Sequence, residues 1–477
     1  MAVDYDLVVI GGGSAGLVAA SAGAQIKAKV ALIENEGRLG GDCLHYGCVP
    51  SKSLIHAGRI AHDVRNAAIY GIDASIQDIR IREALGHVHR VIDTIQEHDS
   101  TERFESLGVE VIYGEGQFTD PQTFEVNGRQ LKARAFLVAT GGRPSVLSVP
   151  GLQEAGYLTN VQVFNITERP ASLAVIGAGP IGCELGQAFA RLGSEVTILA
   201  SRSLILPKEE PEAAQVVQDQ MTAEGIRILT ETRAKEVTVE NGKKVILTNK
   251  GDRIVVDEIL VAAGRVPNVE SLNLQTAGVE VGKEGILVNA KLQTTNAKIY
   301  AAGDVIGGYQ FTHVAGYEGA VAMQNALIGP FFKAYYEVIP WATFTEPELG
   351  RVGLTEEQAR KRYEDDIMIL CHNFDHVDRA LAEGAGVGFA KFITRKNGEI
   401  LGAHIVGPAA GELIHEVVMA MSYKLKVDKL KFMHVYPTLS EINSKTALQL
   451  TKQTFAKNTR LQGMFQGFFN FRRSIGR

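Results

Sequence analysis

Tryptophan occurs once and cysteine four times among 477 residues, too few for a disulfide-stapled scaffold. A structural zinc site would need a second Cys or Cys/His pair. Cys183 and Cys371 each stand alone in apolar stretches, so zinc is set aside. No apolar run reaches the roughly 18 residues of a membrane-spanning helix, and low-complexity tracts are missing. A net charge of −5 argues against nucleic acid as the main partner. The chain opens Met1-Ala2-Val3-Asp4-Tyr5-Asp6 without a charged-then-apolar leader, so the expected setting is cytoplasmic. In that reducing milieu a disulfide that survives is usually catalytic.

What is present is a glycine-rich α/β pattern. Hydrophobic residues make up 45%, charged residues 22%, and there are 50 glycines; the length suits three domains at roughly 100 to 200 residues each. Leu7-Val8-Val9-Ile10 reads as a buried strand, followed by Gly11-Gly12-Gly13-Ser14-Ala15-Gly16, an alanine-rich helix, and the strand Val30-Ala31-Leu32-Ile33-Glu34. Gly11, Gly13 and Gly16 match the dinucleotide fingerprint, in which backbone and a helix N-terminus, here Ser14 and Ala15, approach a pyrophosphate. Glu34 is placed to hold a ribose hydroxyl.

The same grammar returns in Leu173-Ala174-Val175-Ile176, Gly177-Ala178-Gly179-Pro180-Ile181-Gly182 and Val196-Thr197-Ile198-Leu199. Two dinucleotides are therefore expected, the second held at Gly177, Gly179 and Gly182. The second unit ends in Ala200-Ser201-Arg202-Ser203, with no acid at the ribose position. Ser201 and Arg202 can accept a 2′-phosphate that a carboxylate would repel, so NADPH is favoured, with NADH as the alternative. Lys208 is a second candidate for that contact. Three further glycine-marked strand ends, at Thr140-Gly141, Gly264-Arg265 and Gly303-Asp304, look built to deliver the chain to a cofactor edge.

Between the fingerprints stands Gly41-Asp42-Cys43-Leu44-His45-Tyr46-Gly47-Cys48, running into Val49-Pro50-Ser51-Lys52. Cα atoms five apart in an ideal helix are at least ~7.5 Å distant, beyond the usual ~6.8 Å limit of a disulfide. The backbone must therefore be distorted, and Gly47 and Pro50 are suited to allow it. So small a ring gains little from loop entropy, which suits a bridge that opens and closes during turnover.

These motifs resemble the flavoprotein disulfide reductases, the family of glutathione reductase, dihydrolipoamide dehydrogenase and mercuric reductase. The resemblance covers about residues 4 to 452. It implies two Rossmann-like domains and a C-terminal α+β dimerisation domain. The expected division is an FAD-binding domain from 1–148 and 269–340, an NAD(P)-binding domain at 149–268, a dimerisation domain at 341–460 and a tail at 461–477. FAD is implied on the first fingerprint, with Gly41 and Asp42 beside it and Asp304 at its ribityl chain. Cys48 is implied as the thiol facing the flavin, and Cys43 as the thiol that meets the acceptor. Lys52 and Glu184 match the family's ion pair. The C-terminal domain is implied to complete the active site of a second copy in a homodimer.

One position departs from the disulfide reductases. They place a histidine directly before Pro-Thr, paired with a glutamate five residues later. Here the sequence is His434-Val435-Tyr436-Pro437-Thr438-Leu439-Ser440-Glu441, so Glu441 is kept and Tyr436 takes the histidine position. A phenol with a pKa near ~10 is a poor proton shuttle at neutral pH, where an imidazole near ~6.5 is well matched. In an extended segment His434 would point to the same side as Tyr436. Mercuric reductases resemble the chain better here, as in Asp378-Arg379-Ala380-Leu381-Ala382, and a metal held by two thiolates needs no histidine to protonate a leaving thiol. Their tails end in a vicinal cysteine pair, which this chain lacks.

The expected activity is NAD(P)H oxidation through Cys43 and Cys48 to a small acceptor such as a thiol-bound metal ion. A dihydrolipoamide dehydrogenase or other disulfide reductase is the alternative, and a slow flavin redox sensor or membrane-associated binding protein is the reading of another class. After Glu441 no acidic residue occurs, while Lys445, Lys452, Lys457, Arg460, Arg472, Arg473 and Arg477 are interleaved with Phe465, Phe468, Phe469 and Phe471. Packing across the dimer seam is the favoured reading of this tail, and weak contact with an anionic membrane the other.

Overall fold

The computed structural model describes residues 3–475. They form two compact units. One runs to Ser203 and resumes at Gly225–Tyr335; the other comprises Leu204–Glu224 and the chain from Tyr336 onward.

In the first unit, β1 (Tyr5–Ile10), α1 (Ser14–Gln25) and β2 (Val30–Glu34) follow the first fingerprint. The redox motif splits into α2 (Gly41–His45) and α3 (Cys48–Asn66). The sheet continues with β3 (Val109–Tyr113), β4 (Gly116–Asp120), β5 (Thr123–Val126) and β6 (Arg129–Val138). Strand order is β3-β2-β1-β6-β5-β4, with the short strand Ile299–Ala301 parallel to β6. β1 runs parallel to both neighbours, Val9 facing Leu32 on one side and Leu137 on the other. Leu7, Val8 and Val9 are fully buried, as a near-continuous apolar strand requires when helices or loops cover both sheet faces. β6 is long enough to serve two sheets: Arg129–Lys132 pairs antiparallel with β5, and Ala133–Val138 pairs with β1.

The second fingerprint builds a smaller parallel sheet in the order Arg227–Leu229, Glu195–Leu199, Ser172–Ile176, Glu258–Val261. Its helix is Pro180–Arg191, with Pro180 in the first turn, where its missing N–H costs nothing.

The second unit is built on a five-stranded antiparallel sheet ordered Pro340–Thr343, Glu348–Gly353, Ile400–Gly407, Phe389–Arg395, Ile367–Asn373. Helices Ala410–Ser422 and Glu441–Lys457 contribute Ile414, Val417, Ile442 and Ala447 to its core. Residues 204–224, inside the stretch assigned above to 149–268, pack in this unit. A polar network around buried Lys391 and Glu210 holds them: Lys391 Nζ lies 3.0 Å from Glu210, 2.8 Å from exposed Glu212 and 2.7 Å from Glu356. Beside it, Trp341 Nε1 donates to Glu209 at 2.8 Å and the Arg351 guanidinium lies 4.2 Å from the Trp341 ring centroid. Among the described residues no helix is long and apolar enough to cross a membrane.

Candidate active site

The carboxyl ends of β1, β6 and Ile299–Ala301 deliver Gly11, Thr140-Gly141 and Gly303-Asp304, the place where doubly wound sheets bind nucleotides. The local packing shows why small residues stand here. A Cβ on Gly16 would lie 1.9 Å from the Gly11 carbonyl oxygen, and one on Gly41 would lie 2.7 Å from Gly13 Cα. Gly13 begins α1 with no side-chain cap, leaving the first-turn N–H groups free to receive an anion. Glu34 is buried, accepting from the Gly12 N–H at 2.7 Å and the Glu36 N–H at 2.8 Å. This bare, close-approach cradle fits an FAD pyrophosphate. Gly177, Gly179 and Gly182 repeat it: a Cβ on Gly182 would meet the Gly177 carbonyl oxygen at 2.0 Å, while nothing lies within 4 Å of one on Gly179. Ser201 and Arg202 are exposed beyond the end of the strand Glu195–Leu199. Lys208 lies in the other unit, where its carbonyl accepts from Arg351 at 2.6 Å.

Arg265 ties the cofactor-edge segments together. Its guanidinium lies 3.2 Å from Asp42 and 3.2 Å from Asp304, and it donates to the Gly142 carbonyl at 2.5 Å. Burial, joined by the charge of Asp42, pushes the Asp304 carboxyl up, with Arg265 pulling the other way. Asn160 also reaches Asp42, at 3.3 Å, and the Tyr46 carbonyl at 3.0 Å. Thr140 and Asn268 exchange hydrogen bonds at 2.7 and 2.9 Å, and the Gly303 N–H donates to buried Glu318 at 2.7 Å. Gly141 and Gly264 take left-handed conformations, at φ 66° and 128°, which suit glycine.

The helix break falls at Tyr46–Gly47, between α2 and α3. Pro50 plays no part in the distortion expected of it: it lies buried in the first turn of α3, where no intrahelical donor is lost. The Cys43 thiol donates toward Cys48, and Cys48 Sγ lies 3.3 Å from Thr312 Oγ1. Hydrogen bonding from Cys43 leads in drawing the Cys48 thiol down to about 6, with help from Thr312 and the Lys52 charge against the cost of burial. Cys43 moves the opposite way, since its proton is held by Cys48 and the site is partly desolvated. The pair is thus polarised, with Cys48 the more readily ionised of the two. Lys52 Nζ pairs with buried Glu184 at 2.8 Å, linking α3 to the helix of the second fingerprint.

In the second unit, Tyr436 Oη donates to Asp378 at 2.9 Å and is 67% exposed. That bond, and the Asp378 charge, hold the phenol above its ordinary range. His434 does not share its side, contrary to the expectation from an extended segment. Its Nε2 faces Glu416 at 3.2 Å and its Nδ1 faces the Phe432 carbonyl at 2.9 Å. The reason is local: residues 432–440 form no strand, so period-two alternation does not apply. Glu441 Oε2 is buried with no hydrogen-bond partner among the described residues. These residues also contain no group of three or more His, Cys, Asp or Glu side chains able to hold a metal ion.

Arg265, Asn160, Thr312 and Asp378 were not picked out as site residues from sequence. Each is brought in by tertiary contact, Thr312 from 264 positions away; Arg265 and Asp378 stand in segments noted above, but nothing local marks their contacts.

Two dinucleotide cradles flanking a polarised thiol pair define an FAD-dependent oxidoreductase that uses a nicotinamide nucleotide. The comparisons agree: the chain belongs to the pyridine nucleotide-disulphide oxidoreductase family, whose model matches residues 5–319, with the family's dimerisation domain at 339–447. That domain supports a homodimer. The chain is 38% identical over 462 residues to a mercuric reductase of Bacillus cereus, covering 95% of this chain and 72% of that protein. It is 36% identical over 467 residues to a dihydrolipoyl dehydrogenase of Thermus scotoductus, covering 94% and 98%. Its fold matches the HOCl-induced flavoprotein disulfide reductase RclA of Escherichia coli with a TM-score of 0.84, at 28% identity over 93% of this chain and 99% of that one.

Proposed function

We propose that this oxidoreductase takes electrons from NADPH and passes them through Cys43 and Cys48 to a thiol-bound soft metal ion, in the manner of the mercuric reductases it resembles. FAD, held at Gly11, Gly13, Gly16, Glu34 and Asp304, supplies the two-electron link between nicotinamide and thiols when bound. Cys48 is kept as thiolate by Cys43, Thr312 and Lys52, while Cys43 carries the exchangeable proton and is the thiol proposed to meet the acceptor. Lys52, oriented by Glu184, supplies the nearby positive charge. Ser201 and Arg202 favour a 2′-phosphate, so NADPH is preferred over NADH.

The observation that carries the choice of acceptor is Tyr436, hydrogen-bonded to Asp378. Its raised pKa makes it a poorer acid for a leaving thiolate than an imidazole. Reduction of a metal dithiolate avoids that need: two electrons reach the metal, both metal–sulfur bonds break, and the released thiolates take a proton from water. His434, engaged at both ring nitrogens, is poorly placed to serve instead. The family similarity to dihydrolipoyl dehydrogenases keeps disulfide reduction as the second reading.

The test compares NADPH and NADH oxidation by the FAD-loaded protein with Hg(II) in excess small thiol, glutathione disulfide, lipoamide and quinones, alongside Cys43→Ser. Metal-dependent turnover lost in the variant supports the proposal. Turnover confined to disulfides refutes it.

A further inference from the structure

All 54 acidic residues of the chain lie at or before Glu441, against 42 of its 49 basic ones. The last segment is therefore purely cationic on an otherwise acidic protein. It folds as the helix Glu441–Lys457, which packs into the second unit's core, followed by the helix Thr459–Ile475, none of whose residues is buried. At 3.6 residues per turn, Met464, Phe465, Phe468, Phe469, Phe471 and Ile475 fall within an arc of about 160°. These side chains are exposed; Phe468 is 51% and Phe471 63% accessible. Gln462, Gln466, Asn470, Ser474 and Arg473 occupy the opposite arc with Arg460 at its edge, while Arg472 projects from within the apolar arc, its guanidinium 6.0 Å from the Phe468 ring centroid.

We propose that this helix lies in the interface of an anionic membrane, its phenylalanines among the upper acyl chains and its arginines on lipid phosphates. Aromatic side chains on one helix face with arginines and no carboxylate are what such an interface accepts. The alternative of pairing with a second copy is less well served. The helix lies beyond the dimerisation match, which ends at residue 447. A two-fold pairing of the helix with itself would also bring arginine toward arginine, like residues together in parallel or Arg460 toward Arg473 in antiparallel, with no acid in the helix to offset them. The proposal is independent of the acceptor and goes beyond it, making the enzyme a peripheral membrane protein.

The experiment is co-sedimentation of the full-length, FAD-loaded protein with phosphatidylcholine vesicles, with and without about 30% phosphatidylglycerol, at about 0.1 M salt. Binding to the anionic vesicles alone is expected. Arg472→Glu with Arg473→Glu should reduce it at least about tenfold, and Phe468→Ser with Phe471→Ser comparably. NADPH oxidation rate and gel-filtration volume should not change in either variant. Absence of binding, or equal binding to both vesicle types, overturns the proposal. So does dissociation of the dimer by the arginine reversals, which would assign the helix to the subunit seam.

Discussion

Cys48 Sγ and Thr312 Oγ1 lie 3.3 Å apart, placing a hydroxyl beside the sulfur whose pKa is drawn down to about 6. With the Cys43 thiol and the Lys52 ammonium it leaves Cys48 largely thiolate at neutral pH. Thiolate absorbance of the reduced protein should therefore titrate in a first step near pH 6. Thr312→Val and Lys52→Met should each move that step upward, because each removes a group that favours the charged form. A single step at or above the ordinary thiol range would contradict the assignment.

Arg265 is the countercharge for both Asp42 and Asp304. Removing it alone leaves two carboxylates facing one another near the proposed cofactor cradle. Arg265→Gln is expected to weaken FAD affinity of the apoprotein by at least about tenfold, or ~1.4 kcal/mol. Adding Asp42→Asn in the same chain should recover part of the loss. Additive losses, measured by flavin fluorescence, would show that the residues do not act as a unit.

Arg202→Glu places a carboxylate where a 2′-phosphate is proposed to sit. KM for NADPH should rise at least about tenfold while KM for NADH changes little, since repulsion acts on the added phosphate alone. Equal effects on both nucleotides would remove Arg202 from that role.

Lys391 is buried among Glu210, Glu212 and Glu356, a network that fastens residues 204–224 to the second unit. Lys391→Met leaves Glu210 buried without its principal cation, and the expected destabilisation is about 3 to 5 kcal/mol. Denaturant unfolding showing a loss under ~1 kcal/mol would mean that the carboxylates relax toward water.

The nucleotide-binding framework was legible in the sequence because it rests on local rules. Apolar strands buried on both faces, glycines at close backbone approaches and Pro180 in a first turn all announce themselves within a few residues. The Lys52–Glu184 pair was reached through family resemblance and is present in the geometry. What eluded sequence reading depends on distant contacts. Arg265 meets Asp42 across more than half of the first unit's chain, and Thr312 approaches Cys48 from a separate helix. Residues 204–224 follow a nucleotide-binding strand, yet their acids find Lys391 and place them in the second unit. His434 and Tyr436 diverge because their segment is irregular, which no alternation rule anticipates.

The most direct test of the account replaces Tyr436 by histidine. Wild-type protein should reduce Hg(II)–thiol complexes well and disulfides poorly, with no descending limb near the imidazole pKa in its kcat/KM profile, because the Asp378 bond holds the phenol protonated. Tyr436→His should raise kcat/KM for glutathione disulfide or lipoamide by at least about a hundredfold, the scale of general acid catalysis, as the new imidazole gains the otherwise unpartnered Glu441 Oε2. Efficient disulfide turnover by the wild type, unchanged in Tyr436→His, would contradict the claim that Tyr436 selects the acceptor.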